Sequence, residues 1–197
     1  ANDLMKFCPE GGSGAVSRRI PAGDTHKRDL CEDCGHVHYV NPKVIVGCIP
    51  VFEDRILLCR RAIEPRSGWW TLPAGFLELG ETMAEGARRE ALEQAHADVA
   101  VEKLYAFYSV PHISQVYALF RSTLLNPDSV KPGDESLEVG LYAESEIPWD
   151  DIAFPAMHKT LELFFHDLKS ERMRTHGGDI IRLSGDDPQS LFRLFSN

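Results

Sequence analysis

The stretch GFLELGETMAEGARREALEQAHA, Gly75 to Ala97, decides the fold of this chain, because it joins a loop to a helix rich in charged residues. Thr82 is followed three residues later by Glu85, which is the spacing of a capping box, and small apolar residues recur behind it. We therefore predict a helix over residues 82–96. Positions 90, 93 and 94 share one polar face of that helix, because successive residues turn by about 100°.

This polar face has the chemistry of a site for a hard divalent cation. Glu90 and Glu93 supply two carboxylates, and Gln94 supplies an amide. Mg²⁺ is held in proteins by such oxygen ligands, together with waters and substrate phosphates. The backbone at Ala74 and Gly75 can add a carbonyl, because glycine permits close approach. A solvated helix face with ordinary ion pairs is the alternative interpretation.

Composition and charge limit the classes of function. The chain has 197 residues, 43% of them hydrophobic and 26% charged, which suits one globular domain with a small appendage. Its net charge of -9 argues against a basic surface that holds nucleic acid. No apolar run approaches the ~20 residues that span a bilayer, and residues 1–20 lack a signal-peptide core. We expect a cytoplasmic protein with no membrane or nucleic-acid partner, although an organelle stays open.

The N-terminal region carries an incomplete cysteine motif. Cys31-x-x-Cys34-Gly is a zinc knuckle of ribbon type, and Cys8 begins a second one. Gly11 stands where a complete ribbon would have its fourth cysteine. Zn²⁺ is therefore an uncertain cofactor, and a relic knuckle held by packing is the alternative. A fourth ligand could come from water or from one of three histidines, His26, His36 and His38.

Hydropathy patterns place the remaining elements. Cys48 and Cys59 lie in apolar runs, so we predict that they are core residues. Strands are predicted at 44–52, 55–60, 69–74, 99–109, 114–125 and 137–143, and a second helix at 155–170. The domain prediction is a zinc-ribbon-like segment at 1–40, a larger domain at 41–170 and a C-terminal tail at 171–197.

Five fixed positions of the opening stretch match one known pattern, G-x5-E-x7-R-E-U-x-E-E-x-G-U, in which U is a bulky apolar residue. The matching residues are Gly75, Glu81, Arg89, Glu90 and Glu93. The segment thus resembles the Nudix box. It departs from the pattern at four positions, Ala91, Gln94, His96 and Ala97. The amide at 94 fits either natural divergence or a deliberate Glu→Gln exchange, and an attenuated enzyme is expected from it.

The wider chain is similar to ribbon-bearing Nudix hydrolases of bacteria and plants, from Met5 to about Leu168. This resemblance implies an α/β fold, the Nudix α/β/α sandwich with a mixed sheet, preceded by the zinc-ribbon-like segment. It implies hydrolysis of a pyrophosphate bond with Mg²⁺ or Mn²⁺ and release of AMP. FAD and ADP-ribose are the favoured substrates, because "SVPHIS" only partly matches an element of the NADH pyrophosphatases.

The resemblance also implies roles for individual residues. Metal ligands are expected at Glu90, Glu93, Gln94, Ala74 and Gly75. Catalytic or supporting roles are expected at Glu81, Arg89, Glu90, Glu93 and Glu135. Trp70 and Tyr108 could stack on a substrate ring, although aromatic residues beside strands are more often core. For Glu135, an ordinary surface carboxylate is the alternative.

The expected partner is a small-molecule dinucleotide substrate, and a homodimer is common among similar proteins. A second class of function stays open on the sequence alone. Gln94 and the broken ribbon also fit a Nudix module that binds a dinucleotide without hydrolysing it.

Overall fold

The computed structural model describes residues 4–181 and 192–195. The chain divides into two compact units, the first ending at Asn41 and the second beginning at Pro42. No helix in the described ranges is long and apolar enough to cross a membrane.

The first unit is built on a small antiparallel sheet. Its strands are β1 (Val16–Arg19), β2 (Arg28–Cys31) and β3 (Val37–His38), paired in that order. Two tight turns lie beside this sheet. In one, the Gly12 N–H donates to the Cys8 carbonyl at 2.8 Å, and in the other the Gly35 N–H donates to the Cys31 carbonyl at 2.9 Å. These turns bring Cys8, Cys31 and Cys34 to one place.

The second unit is built on a larger sheet whose strands run in the spatial order β10-β5-β4-β9-β8-β11-β12. The pairs β4–β9 and β8–β11 are parallel and the other neighbours are antiparallel, so the predicted mixed sheet is confirmed. Strand bounds are β4 Lys43–Phe52, β5 Arg55–Arg61, β6 Trp70–Thr71, β7 Ala74–Phe76, β8 Val99–Val110, β9 Gln115–Leu124, β10 Ser136–Tyr142, β11 His176–Ile180 and β12 Phe192–Leu194.

Two helices cover opposite faces of this sheet. Helix α1 (Met83–Ala95) packs its alanines on a cluster that contains Cys48 and Cys59, both buried as predicted. Helix α2 (Pro155–Ser170) packs its phenylalanines on the cluster around Ile49. Because neighbouring residues of a strand point to opposite faces, positions 48 and 49 face different helices. This arrangement is the α/β/α sandwich.

The sheet opens between β4 and β5, and this opening positions the site. The two strands pair only near their hairpin, at Val51–Phe52 with Arg55–Ile56. Farther along, β6 pairs with β5 while β7 pairs with β4. Strand β7 therefore lies alongside β4 and leads through a short loop into α1.

A buried polar group joins α2 to the late strand β11. The Asp167 carboxylate, whose residue is 2% exposed, accepts a hydrogen bond from the Tyr105 hydroxyl at 2.9 Å and contacts His176 Nε2 at 2.7 Å. His176 begins β11, which pairs parallel with β8. Residues 176–180 are thus a strand of the sheet rather than an irregular tail. The predicted tail also includes residues 182–191, 196 and 197, which lie outside the described ranges.

The predicted boundaries of α1 agree with the structure. The Thr82 hydroxyl accepts from the Glu85 N–H at 3.2 Å, and the Glu85 carboxylate accepts from the Thr82 N–H at 2.7 Å, which completes the capping box. The helix ends at His96, which has φ 48° and ψ 30°. This left-handed conformation is the one that glycine adopts most readily, which explains why the family pattern has glycine there.

Candidate active site

The centre of the site is the contact between Glu90 and Gly75. A Cβ added at Gly75 would overlap the Glu90 carboxylate, so a larger residue there would force this side chain to shift from its place beside β7. Glu90 is 7% exposed. Its burial raises the pKa of the carboxyl, and the hydrogen bond from Arg89 partly opposes that rise. Gly75 of β7 and the Glu90 carboxylate of α1 are therefore packed directly against each other.

Arg89 binds all three glutamates of the matched pattern. Its Nη2 lies 2.7 Å from Glu81 Oε1, and its Nε lies 3.0 Å from Glu81 Oε2, so this pair is bidentate. Its Nη1 donates to Glu90 Oε1 at 2.8 Å and to Glu93 Oε2 at 3.2 Å. The hydrogen bonds from Arg89 and from the Glu78 N–H lower the pKa of Glu81 to about 2. Arg89 thus supplies the local positive charge among these acids.

Gln94 is buried on the same face of α1, and its amide nitrogen points inward. Nε2 donates to the Ala74 carbonyl at 2.8 Å and to Glu90 Oε2 at 2.9 Å. Gln94 therefore connects two of the groups that were predicted as metal ligands. The three glutamates surround Arg89 without bringing three carboxylate oxygens within 4.8 Å of one another. Among the His, Cys, Asp and Glu side chains that the structure describes, only Cys8, Cys31 and Cys34 bring three ligand atoms that close together.

The loop that contains Gly133 packs against the C-terminal end of α1. The Gly133 N–H donates to the Gln94 carbonyl at 2.9 Å, and the Lys131 N–H donates to the Ala95 carbonyl at 3.0 Å. A Cβ at Gly133 would overlap the Glu93 carbonyl oxygen. Two residues later, the Glu135 carbonyl accepts from the Ala62 N–H at 2.9 Å. Glu135 is exposed and lies outside the Arg89 network, so its catalytic role stays a prediction.

The two predicted stacking residues lie in the core. Tyr108 is 0% exposed, and its hydroxyl accepts a hydrogen bond from Thr160 at 3.2 Å. Trp70 is 9% exposed and packs edge-on against Tyr142. Packing accounts for both rings, and neither one offers an open face to a ligand. This placement favours the core alternative.

Arg61, at the end of β5, was missed by sequence reasoning. Its guanidinium carbon lies 4.9 Å from the centre of the Phe154 ring, and its Nε donates to the Pro65 carbonyl at 2.8 Å. Burial lowers its pKa, while Glu135 and Tyr117 oppose that shift. No carboxylate in the described ranges forms an ion pair with it. The available signal is the pair Arg60–Arg61, which ends a strand that is apolar from Ile56 to Cys59.

The first unit holds the cysteine cluster. Sγ of Cys8 lies 3.6 Å from Sγ of Cys34, and Cys31 completes the group. The Cys34 N–H points at the Cys31 sulfur and lowers the pKa of that thiol. A Cβ at Gly11 would meet no atom within 4 Å. This position therefore has space for the side chain that the knuckle lacks.

Comparisons with known proteins agree with this geometry. A family model described as "NUDIX domain" matches residues 41–167, and one described as "Nudix N-terminal", a zinc ribbon, matches residues 6–40. The chain therefore belongs to the Nudix family and is a Nudix hydrolase. The recognition of this family and its fold from the sequence is confirmed.

The chain is similar to three proteins in particular. A crystal structure of a NUDIX hydrolase from Nitrosomonas europaea is 54% identical, covers 89% of this chain and 99% of its own, and has a TM-score of 0.86. The ADP-ribose pyrophosphatase of Methanocaldococcus jannaschii is 30% identical over 72% of this chain and 86% of that protein. The NAD-capped RNA hydrolase NudC of Salmonella heidelberg is 29% identical over 73% of this chain but only 53% of that protein.

The Glu81–Arg89 pair predicts a specific acid sensitivity. The pKa of Glu81 is about 2 in the fold against an ordinary 4.5, so its stabilisation is present above pH 4.5 and is lost as the pH falls towards 2. Glu81→Gln should lower the free energy of unfolding at pH 7, and the difference from wild type should vanish near pH 2. Denaturant unfolding at several pH values, with chelator present, measures this difference.

Glu93→Gln is the matched control, because the Glu93 side chain is 59% exposed. It should lower stability at pH 7 by less than Glu81→Gln does. A Glu81→Gln variant as stable as wild type at pH 7 would contradict the prediction.

Proposed function

We propose that this Nudix hydrolase cleaves the pyrophosphate bond of a nucleoside diphosphate linked to a second moiety and releases AMP, with ADP-ribose or FAD as substrate. The observation that carries the proposal is the buried Glu90 carboxylate beside Gly75, held with Glu81 and Glu93 by Arg89. The Methanocaldococcus jannaschii relative, named for ADP-ribose, supports that substrate. NADH is a weaker candidate.

The residues fit a site for Mg²⁺ or Mn²⁺. Glu90 and Glu93 are hard oxygen donors on one helix face, and the Ala74 carbonyl lies on the Glu90 side of that face, where Gln94 Nε2 bonds both groups. When bound, such a cation neutralises the pyrophosphate and makes water a stronger nucleophile. Glu93 is the more exposed carboxylate and is the candidate to take a proton from the attacking water. Arg89 positions both carboxylates without facing the substrate itself.

Arg61 is our candidate for contact with the substrate's phosphate. The loop from Gly133 to Glu135 connects the end of α1 directly to the strand that carries Arg61. Across the opening between β4 and β5, Arg61 is near Tyr117, which lies on β9. Strand β9 pairs with β4, and β4 pairs with β7, the strand that carries Gly75. Arg61 packs on the Phe154 ring, and its Nη1 and Nη2 form no hydrogen bond to any residue that the structure describes.

The substrate class is tested by a panel of FAD, ADP-ribose, NADH, CoA, diadenosine polyphosphates and an NAD-capped oligoribonucleotide, each with Mg²⁺ and with Mn²⁺. We expect release of AMP from ADP-ribose or FAD, measured by chromatography, and loss of that activity in Glu90→Gln. Binding of ADP-ribose without any AMP release would instead support the non-hydrolytic module, which Gln94 favours. Rapid turnover of nucleoside triphosphates alone would overturn the proposal.

Arg61→Met should lower kcat/KM for the best substrate of that panel. A charge-assisted hydrogen bond contributes about 1.5–3 kcal/mol, so we expect a loss of roughly 10–100-fold, mainly through KM. Arg60→Met is the matched control, because Arg60 lies on the same strand and contacts Glu138 at 3.7 Å. Equal kinetics for the two variants would remove Arg61 from the substrate site.

We propose zinc as the metal of the cysteine cluster, held by three thiolates and weakly retained. Ligand count sets affinity, so metal analysis should find substoichiometric or easily chelated zinc in wild type. Gly11→Cys should raise retention after dialysis towards one zinc per chain, and Gly11→Ser should not. Hydrolysis should survive chelation of this zinc. One tightly held zinc per wild-type chain would contradict the prediction.

A further inference from the structure

The Gln94 amide stands between two groups that have no protons to offer. The Ala74 carbonyl and Glu90 Oε2 are acceptors, and Gln94 Nε2 gives one N–H to each, at 2.8 and 2.9 Å. Gln94 is only 8% exposed, so water has little access to replace these bonds. Turning the amide over would place three acceptor oxygens together with no N–H between them, because Arg89 donates to the other Glu90 oxygen, Oε1. The nitrogen-inward orientation is therefore required in the metal-free fold.

A glutamate at this position would create a different requirement. Its carboxylate would face the Glu90 carboxylate and the Ala74 carbonyl with no donor between them. Like charges in a partly buried site repel strongly, and a divalent cation is the usual remedy. The two N–H groups of the neutral amide bond the same two oxygens from within the protein, without adding the negative charge of a carboxylate.

We propose that the Gln94 amide takes the place of one divalent cation. The amide joins the Ala74 carbonyl of β7 to the Glu90 carboxylate of α1, so these two groups are held together without an ion. The proposal deepens the proposed function, since it assumes that the same face of α1 binds metal. A cation that enters with substrate is then bound by Glu93 and by Oε1 of Glu90, the oxygen that Gln94 does not contact. In this proposal Gln94 is a positioning residue that competes with metal, which differs from the ligand role predicted from the sequence.

The test is Mn²⁺ binding without substrate, measured by titration calorimetry and by electron paramagnetic resonance. Wild type, Gln94→Glu and Gln94→Ala are compared. Gln94→Glu should bind one more Mn²⁺ per chain than wild type. Gln94→Ala removes the competing donors, so its Mn²⁺ affinity should equal or exceed that of wild type. Leu92→Glu adds the same charge to the exposed side of α1, where Leu92 is 54% exposed, and should leave the stoichiometry unchanged.

Two results would overturn the proposal. A loss of roughly tenfold or more in Mn²⁺ affinity in Gln94→Ala would show that the Gln94 oxygen is itself a ligand. Equal Mn²⁺ stoichiometry in Gln94→Glu and wild type would show that no cation position was taken.

Thermal unfolding gives a readout that does not depend on turnover. Metal-free Gln94→Glu should unfold at a lower temperature than wild type, and Mn²⁺ should raise its midpoint by more than it raises that of wild type. An equal Mn²⁺ response would contradict the proposal. The substrate panel reports separately on hydrolysis, so a chain that cleaves no dinucleotide but shows these Mn²⁺ differences would refute the proposed function and support the role of the amide.

Discussion

The close approach of the Glu90 carboxylate to the backbone at Gly75 is the constraint on which this site depends. It brings the second turn of α1 against Gly75 of β7, where a larger residue would force the Glu90 carboxylate to move. The opening of the sheet between β4 and β5 makes room for β7 to lie there. The contact between Gly75 and Glu90 joins β7 to α1. It also brings the Glu90 carboxylate close to the Ala74 carbonyl.

Arg89 makes this arrangement compatible with an acidic chain. Three carboxylates share one guanidinium, and Glu90 is buried, where an uncompensated charge would be costly. The planar group reaches Glu81 with two parallel bonds and still has a nitrogen for the helix acids, which a lysine could not do. The site is therefore organised before any cation arrives, and positioning does not have to be supplied by the ligand.

The extent to which the sequence predicts this structure follows from how local each signal is. The capping box at Thr82 and the spacing from Gly75 to Glu93 are local, and the structure agrees with the helix drawn from them. The direction of the Gln94 amide depends on the Ala74 carbonyl, 20 residues away. Arg61 gains its position through the pairing of β5 with β10, and Gly133 through its hydrogen bond to the Gln94 carbonyl. Burial of Tyr108 likewise depends on α2, which no local pattern near that strand reveals.

The parallel pairing of β11 with β8 affects the order in which the protein can be made. A ribosome releases residues 99–110 long before residues 176–180, so β8 must wait for its neighbour while most of the sheet already exists. During that interval Asp167 has Tyr105 but lacks His176, and a buried carboxylate with one partner is poorly compensated. We therefore expect the last turns of α2 to pack only after His176 has been synthesised. Until then the edge of β8 is an open template for another strand, which is the kind of surface that nascent chains shield with chaperones.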